Sequence, residues 1–236
     1  MPSSSKQISI ENRLLAALPR DEYESLLQKL ELVRFPRNRI LYEAGDAIHY
    51  AYFPNSGMAS LLAITEDGST IEIGTVGREG YLGAPILHQV GITPYRVTAQ
   101  MPLTALRIEA QAFLSDVNHE GPLREMLLRY AHVVETQLVQ AVVCNLTHTV
   151  EERMARRLLV MSDCLESHTF EVTQEQLSLI LDRHRNRISA AGIVLRQMGL
   201  IEIARSQLRI TNRSGLEAAA CECYRIVKAS LDLATP

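Results

Sequence analysis

The sequence predicts an α+β chain with an antiparallel β-roll at the N-terminus, a long central helix and a winged helix-turn-helix at the C-terminus. Three observations predict this architecture. Short apolar segments separated by turn residues occupy much of the first half, a segment with heptad spacing follows, and two helical patterns then precede a hairpin pattern. With 236 residues, 47% of them hydrophobic, the chain can bury two modest cores.

The N-terminal part predicts mainly strands. After helical patterns at 10–18 and 22–30, strands are expected at 32–35, 39–41, 49–54, 57–64, 71–76, 95–99 and 104–108. Residues that tolerate a left-handed backbone separate them, as at Asn55-Ser56-Gly57 and Asp67-Gly68. Several short antiparallel strands at this spacing favour a roll or barrel. One long connection, 77–94, interrupts the series.

A long helical segment is expected at 122–165, and Pro122 is well placed at its start. Apolar residues recur in it at spacings of three and four, which predicts a seam of about three heptads along a twin helix. The residues of this predicted dimer interface are Leu123, Leu127, Tyr130, Val134, Leu138 and Ala141. The alternative is that the stripe packs on the chain's own roll. A second helix, expected at 150–165, would support the C-terminal part.

The segment 173–209 predicts a helix, a tight turn, a second helix and a hairpin. Thr173 and Gln176 have the spacing of a capping box, and Asp182 tolerates the left-handed backbone of a sharp turn. The second helix is expected at 184–198. Its apolar face comprises Ile188, Ala191, Leu195 and Met198, and its polar face carries Arg185, Asn186 and Ser189. Alternating residues at 200–203 and 207–210 predict the hairpin, or wing.

The polar face of this second helix has the chemistry needed to bind duplex DNA. The N-terminal residues of a helix in the major groove reach base edges, where arginine can bond guanine and asparagine can bond adenine. Arg205, at the tip of the wing, would suit a phosphate. The predicted DNA-binding residues are Thr173, Arg183, His184, Arg185, Asn186, Arg187, Ser189 and Arg205. The alternative is that these arginines form an ordinary solvated face.

The charge distribution favours DNA binding more than the net charge does. The chain carries a net −3, which alone argues against a nucleic-acid partner. Residues 183–213, however, hold seven arginines and one acid, so this segment carries +6 and the rest of the chain carries −9. A basic segment of this kind predicts salt-dependent binding.

The order of these parts resembles that in the Crp/Fnr superfamily, the family of the cyclic-AMP receptor protein and the fumarate-nitrate reduction regulator, over nearly all of residues 10–225. The resemblance implies a roll like the cyclic-nucleotide-binding domain, a double-stranded β-helix. It also implies a homodimeric transcription regulator that binds a palindromic operator, with RNA polymerase as a further candidate partner. The family's recognition helix begins Ser-Arg-Glu-Thr-Val-Gly-Arg, and residues 184–190 match it with Arg185 kept. Asn186 and Ala190 differ, so the operator should differ as well.

On this basis the chain divides into four parts. We expect a disordered N-terminus at 1–9, a β-roll sensor domain at 10–121, a dimerisation helix at 122–149 and a winged helix-turn-helix DNA-binding domain at 150–236. The N-terminus lacks the apolar core of a signal peptide, and no apolar run reaches the length of a membrane span. Cytoplasmic localisation is therefore expected, with no membrane partner.

The sensor site departs from the family. The family's phosphate-binding cassette resembles Gly-Glu-Leu-Gly followed by Arg-Ser-Ala, and this chain has Gly80-Tyr81-Leu82-Gly83 with Thr93, Tyr95 and Arg96 in the second part. Because a buried phosphate needs opposite charge or a full set of donors, cyclic AMP is not the expected effector. Arg96 could substitute for the lost arginine. The alternative is that Tyr81 and Tyr95 fill the pocket and that it binds nothing.

Other cofactors and activities are not expected from the sequence. An iron–sulfur sensor needs an N-terminal cysteine cluster, and the first cysteine is Cys144. Cys221 and Cys223 fall in a predicted helix, where residues two apart point away from each other, so no metal site is expected there. Lone histidines such as His148 do not indicate a haem ligand, and no catalytic motif occurs in a credible context.

Two functional alternatives remain open. One is a dimeric DNA-binding protein that needs no effector. The other is a small-molecule-binding module of the cyclic-nucleotide type with a non-DNA partner. Arg185 and Asn186 discriminate against the second, because a scaffold has no use for them at the groove-facing end of a helix.

Overall fold

The structure, a computed structural model, describes residues 10–181, 185–204 and 207–234. The predicted disordered segment 1–9, the predicted turn residue Asp182, and the predicted DNA-binding residues Arg183, His184 and Arg205 lie outside the described residues.

The N-terminal part contains seven strands and four short helices within the described residues. The helices are α1 (Arg13–Ala16), α2 (Arg20–Leu27), α3 (Ala84–Leu87) and α4 (Ala110–Val117). The strands are β1 (Glu31–Phe35), β2 (Ile40–Tyr42), β3 (Tyr50–Ser56), β4 (Ala59–Ile64), β5 (Thr70–Val76), β6 (Arg96–Ala99) and β7 (Leu103–Glu109). All seven predicted strands are present with small shifts at their ends. Helix α3 lies in the long connection and was not predicted, because four residues are too few to show a helical period.

These strands form two antiparallel sheets, with the orders β1-β7-β3 and β2-β6-β4-β5. Leu106, which faces Leu32 on β1 and Phe53 on β3, is completely buried, and so is Val97 on the other sheet. Side chains from both sheets belong to one hydrophobic core. This is the predicted antiparallel roll.

The long helix α5 (Pro122–Thr147) closes this core. It begins at Pro122, and the first turn is capped from a distance, since the Leu123 N–H donates to the Glu22 carboxylate of α2 at 3.0 Å. Leu127 and Tyr130 of α5 are completely buried in the core of the roll.

The chain changes direction between α5 and the next helix, α6 (Val150–Leu165). His148 ends α5 with an extended backbone, and Thr149 begins α6 with a complete capping box. The Glu152 N–H donates to Thr149 Oγ1 at 3.3 Å, and the Glu152 carboxylate accepts from the Thr149 N–H at 2.8 Å. Because the start of α6 has its own cap, the two helices are separate elements. We call residues 148–149 the junction.

The C-terminal part is built on a second hydrophobic core. After α6 come β8 (Thr169–Glu171), α7 (Gln174–Leu181), α8 (Arg185–Gln197), β9 (Ile201–Ala204), β10 (Gln207–Ile210), α9 (Arg213–Ala219) and α10 (Cys223–Ala234). The predicted hairpin is therefore two strands of a three-stranded sheet with the order β8-β10-β9. Strand β8 was not predicted, because it offers only one buried residue, Phe170. Helix α10 returns to pack along α5.

A buried ion pair joins α6 to the roll. The Arg157 guanidinium binds both carboxylate oxygens of Glu72 on β5, at 2.7 and 2.9 Å. It also contacts Gln100, and the Ser60 hydroxyl donates to the same carboxylate at 2.6 Å. The two charged side chains are only 3% and 6% exposed. Both carboxylate oxygens are thus bonded, which favours burial of the two charges, although the buried Arg157 Nε–H has no partner among the described residues.

None of the helices in the described part of the chain is both long enough and apolar enough to cross a membrane.

Candidate functional site

Helix α7, the first helix of the predicted helix-turn-helix, begins with the predicted cap. The Gln176 N–H donates to Thr173 Oγ1 at 3.2 Å, and Gln176 Oε1 accepts from the Thr173 N–H at 2.9 Å. The Thr173 hydroxyl oxygen thus accepts a hydrogen bond that stabilises the start of α7. Leu177 and Leu181 anchor this helix in the second core.

Helix α8 has one buried and one exposed face. Ile188, Ala191 and Leu195 are almost completely buried, which fixes the orientation of the helix. Arg185, Asn186 and Arg187 are exposed in its first turn, and the Ser189 hydroxyl donates to the Arg185 carbonyl at 3.1 Å. Met198 lies beyond the end of the helix and is 58% exposed, so its predicted place on the apolar face was wrong.

The Arg185 side chain has an exchangeable partner within the chain. Its guanidinium lies 3.3 Å from the Glu175 carboxylate of α7, and both side chains are about two-thirds exposed, at 67% and 70%. An ion pair this exposed contributes little to stability, since water and salt screen it. The guanidinium can therefore exchange Glu175 for another acceptor at small cost.

Arg213 does not contribute to the basic surface. Its guanidinium binds Asp163 at 2.7 Å, Glu217 at 2.9 Å and the Tyr224 hydroxyl at 2.8 Å. These contacts join α9 to α6 and α10. One of the seven arginines counted in the basic segment is thus neutralised inside the chain, and the +6 overstates the charge available to a duplex.

The residues predicted to line an effector pocket are largely buried in an aromatic cluster. Tyr81 is 2% exposed, and its ring packs against Phe53, Phe113 and Tyr130, with centroids 5.6 to 6.2 Å apart in this set. Burial raises the pKa of the Tyr81 and Tyr130 phenols, so both remain neutral. Gly80 lies against the Tyr130 ring, where any Cβ would collide with it.

The remaining residues of the predicted pocket are engaged with their own chain. The Tyr52 N–H donates to the Leu82 carbonyl at 2.9 Å, and the Leu82 N–H donates to the Tyr52 carbonyl at 2.8 Å. Gly83 precedes α3, and Thr93, which is buried, accepts at Oγ1 from the Tyr95 N–H at 3.3 Å. The Arg96 guanidinium binds the Glu43 carboxylate at 2.8 Å, and this hydrogen bond lowers the pKa of Glu43.

A cavity of about 360 Å³ lies elsewhere, between β5, α5, α6 and α10. Polar and charged side chains line much of it, including Glu72, Gln137, Arg157 and Asp163. No sequence pattern indicated this cavity, because its walls come from both cores.

The predicted dimer seam needs correction in its first half. Leu123, Leu127 and Tyr130 are 6%, 0% and 0% exposed and belong to the core of the roll, so they are not available to a second chain. Val134 packs against the same core. Leu138 and Ala141 are half-buried. The first four residues of the stripe therefore pack on the chain's own roll, which was the alternative to the dimer seam, whereas the interface role of Leu138 and Ala141 stays a prediction.

A second apolar stripe on α5 is exposed. We call it the outer stripe; it consists of Leu128, Val139, Val142, Val143 and Leu146, which are between 37% and 80% exposed. Four of its members also follow helical spacing in the sequence. The periodicity could therefore have revealed the outer stripe, but the longer series of the predicted dimer interface, from Leu123 to Ala141, was chosen instead.

Three of the four cysteines come together with a histidine, which the sequence did not predict. Cys144, His148, Cys221 and Cys223 place their ligand atoms within 4.8 Å of one another. We call this group the Cys3His cluster. Helix α10 begins at Cys223, so Cys221 lies before it. The prediction that the two cysteines diverge on one helix was therefore wrong, so it no longer argues against a metal site there.

Comparisons with known proteins agree with the fold. Residues 32–119 match the family model of the cyclic nucleotide-binding domain. A search of the curated proteins finds no match. Among solved structures, FixK2 from Bradyrhizobium japonicum aligns with a TM-score of 0.68 and 13% identity, covering 81% of this chain and 98% of that chain.

Two further structures come from Thermus thermophilus. TTHB099, a transcriptional regulator of the CRP family, has a TM-score of 0.66 and 20% identity, covering 80% of this chain and 96% of its own. TTHA1359, of the CRP/FNR family, has a TM-score of 0.60 and 18% identity, with coverage of 80% and 98%. The chain thus combines a cyclic nucleotide-binding domain match at residues 32–119 with the overall fold of Crp/Fnr regulators, as the sequence resemblance predicted.

Proposed function

We propose that the protein is a homodimeric, sequence-specific DNA-binding regulator of the Crp/Fnr type and has no enzymatic activity of its own. The observation that carries this proposal is the exposed first turn of α8. Arg185, Asn186 and Arg187 project from a helix whose opposite face is buried in the second core. The parts expected from the sequence at 10–121, 122–149 and 150–236 then act as a sensor, a dimerisation helix and a DNA-binding domain.

The chemistry of this turn suits the major groove. Arg185 can bond guanine O6 and N7 in bidentate fashion, and Asn186 can bond adenine N6 and N7. Backbone N–H groups at the start of the same helix favour a nearby phosphate. The exposed pair with Glu175 would be exchanged for the DNA acceptor.

A second copy of the chain is the proposed partner along α5. The outer stripe leaves Val139, Val142 and Leu146 exposed at 59%, 61% and 80%. Contiguous exposed apolar residues of this kind mark interaction surfaces. A two-fold dimer would present two α8 helices to a palindromic site, one helical turn apart.

The roll is proposed to sense a signal other than cyclic AMP. At the positions that correspond to the family's phosphate-binding cassette, Tyr81 is buried among aromatic rings and Arg96 is paired with Glu43. A phosphate would have to displace this ion pair and open the aromatic cluster.

Enrichment of random duplexes by the purified full-length chain tests the proposal. Wild type should recover a palindromic site, and Arg185→Ala should lower affinity for that site by about 10- to 100-fold and relax selection at one position of each half-site. Arg196→Ala is the matched control, because Arg196 is exposed near the other end of α8. It should keep the wild-type site preference.

Two results would overturn the assignment. One is wild-type protein that enriches no sequence at any salt concentration. The other is Arg185→Ala protein that selects the same site as wild type. Circular dichroism of each variant checks that the fold is retained.

A further inference from the structure

The Cys3His cluster brings together potential ligands from two distant segments. Cys144 lies in the last turn of α5 and His148 directly follows that helix. Cys223 begins α10, and Cys221 lies just before that helix, 77 positions after Cys144. The three cysteines are 1%, 4% and 0% exposed, and the His148 side chain is 12% exposed.

Two distances within the cluster match those around a single tetrahedral ion, and all four ligand atoms lie within 4.8 Å of one another. Cys144 Sγ lies 3.6 Å from Cys221 Sγ, and Cys223 Sγ lies 3.7 Å from His148 Nδ1. With zinc–sulfur bonds of about 2.3 Å and zinc–nitrogen bonds of about 2.0 Å, tetrahedral angles place two sulfurs roughly 3.8 Å apart and sulfur and nitrogen roughly 3.5 Å apart. Both observed distances agree with these values to about 0.2 Å.

The imidazole is oriented as in metal sites. One ring nitrogen, Nδ1, faces Cys223, while the other, Nε2, lies 3.2 Å from the Glu222 carboxylate. A carboxylate that accepts from Nε2–H fixes the tautomer in which the lone pair is on Nδ1, toward the thiols. Metal-bound histidines usually have such a partner on their other nitrogen.

The surrounding charge also fits a cation with three thiolates. A divalent ion bound by three thiolates and a neutral imidazole carries a net −1. The guanidinium groups of Arg156 and Arg153 act electrostatically on Cys144 and would offset this charge. Binding would release the three thiol protons to the solvent, because the thiolate is the ligand.

Other occupants fit less well. An iron–sulfur cluster distributes its ligands over several iron atoms, which needs wider separations than a single ion does. A disulfide between Cys144 and Cys221 would require the sulfurs to approach to about 2.05 Å, and it would leave Cys223 and His148 without a role. Packing of cysteines as small apolar residues does not require a histidine and a carboxylate in line with them.

We propose that Cys144, His148, Cys221 and Cys223 form a tetrahedral site for a divalent cation of the zinc type, which ties the end of α5 to the start of α10. All four positions are filled by protein, so the site is structural or regulatory and does not bind a substrate. His148 belongs to the junction. Bound metal would therefore fix the direction in which α6 leaves α5, and its effect on DNA affinity rests on the function proposed above.

Metal binding is tested on the reduced full-length chain after chelator treatment. Titration with Co²⁺ should give one equivalent per chain with thiolate-to-cobalt charge-transfer bands and the strong visible bands of tetrahedral cobalt, and Zn²⁺ should displace it. Cys144→Ser and His148→Gln should each weaken binding by more than 100-fold. Glu222→Gln should weaken it by about 10- to 100-fold, as is typical for the partner of a metal-bound histidine.

Matched controls distinguish this site from adventitious binding. Cys164→Ser changes the fourth cysteine, which is buried on α6 beside Glu79, and should leave cobalt binding unchanged. His132→Gln changes an exposed histidine of α5 and should do the same. The proposal is overturned if wild type shows no charge-transfer bands, if the controls lose as much affinity as Cys144→Ser and His148→Gln, or if mass spectrometry finds a Cys144–Cys221 disulfide in place of bound metal.

His148→Gln is the milder substitution, because His148 lies outside the helices and glutamine is also polar. Native mass spectrometry of this variant reports whether it is folded and how much metal it holds. Affinity for the enriched DNA site, measured with and without Zn²⁺, then tests the regulatory consequence. Equal affinities would refute regulation and leave the site standing. Failure to bind DNA under any condition would refute the proposed function, and the cobalt spectrum would still decide the metal site.

Discussion

The two halves of α5 each carry an apolar series with spacings of three and four, but the two series lie on different sides of the helix and are covered differently. In the first half, Leu127 and Tyr130 are completely buried against the chain's own roll. In the second half, Val139, Val142 and Leu146 are more than half exposed. The first half is therefore part of a domain core, and the second half extends from it with an uncovered apolar side.

This difference shows what a heptad pattern can and cannot predict. Spacings of three and four place residues on one side of a helix, whatever covers that side. Leu127 and Leu128 are neighbours in sequence, yet one is fully buried and the other is 43% exposed, because they face different sides. The pattern predicts a helix with an apolar face, and only the packing distinguishes an intramolecular partner from a second chain.

The largest effect is expected from charge on the exposed half. Val139→Glu combined with Val142→Glu should convert the dimer to a monomer of 26.4 kDa, since two carboxylates would have to be desolvated at the interface. Sedimentation velocity measures the change. Val90→Glu, at a 60% exposed valine in the roll, is the control and should remain dimeric. A double variant that stays dimeric would place the interface elsewhere.

A smaller effect is expected from overpacking the buried half. Gly80→Ala introduces a Cβ that would collide with the Tyr130 ring and push α5 from the roll. Urea denaturation should show a loss of about 1–3 kcal/mol in the free energy of unfolding. Gly192→Ala in α8 is the control, because its nearest neighbour would be the Ile203 side chain at an ordinary 3.8 Å. Equal stability of Gly80→Ala and wild type would mean that the helix is not held against this segment.

The smallest effect is expected on the pH dependence of the free energy of unfolding, through Glu79, which lies beside the buried half of α5. Glu79, close to Tyr130, has a raised pKa, mainly because burial disfavours its carboxylate, although the Gly77 N–H stabilises that form. Arg13 also stabilises the charged form, and Cys164 lies 3.8 Å away. Folding therefore favours the protonated form of Glu79. Its contribution to the free energy of unfolding is fully present below the unfolded-state pKa of about 4.3, and it is lost as the pH rises through the folded-state pKa.

Glu79→Gln should therefore gain stability relative to wild type as the pH rises from 4 to 7. Thermal unfolding of both proteins across this range measures the difference. A difference that is constant with pH would show that Glu79 titrates as it does in the unfolded chain.

Much of the fold could be predicted because it depends on local patterns. Pro122, the Thr173 capping box and the alternation around the hairpin each indicate an element from neighbouring residues. Strand β8 was missed because its three residues show no strand pattern of their own, and it is a strand only because it pairs with β10. The apolar face of α8 was predicted apart from its last residue.

The sites were less predictable because they depend on distant residues. The Cys3His cluster joins residues 77 positions apart, and its recognition required the start of α10 to be placed at Cys223. The sequence showed that the charged ligands of the cassette were missing. It could not show that Phe53, Phe113 and Tyr130 would surround Tyr81, since these residues come from three separate elements.

The buried pair between Arg157 and Glu72 has a consequence for motion between α6 and the roll. If the two separate slightly while water is still excluded, each charge keeps only a neutral partner, Gln100 for Arg157 and Ser60 for Glu72. A buried charge that has lost its ionic partner costs about 3–5 kcal/mol. If they separate fully, hydration compensates for the lost pair. Partial displacement of α6 from the roll is therefore disfavoured relative to the seated position.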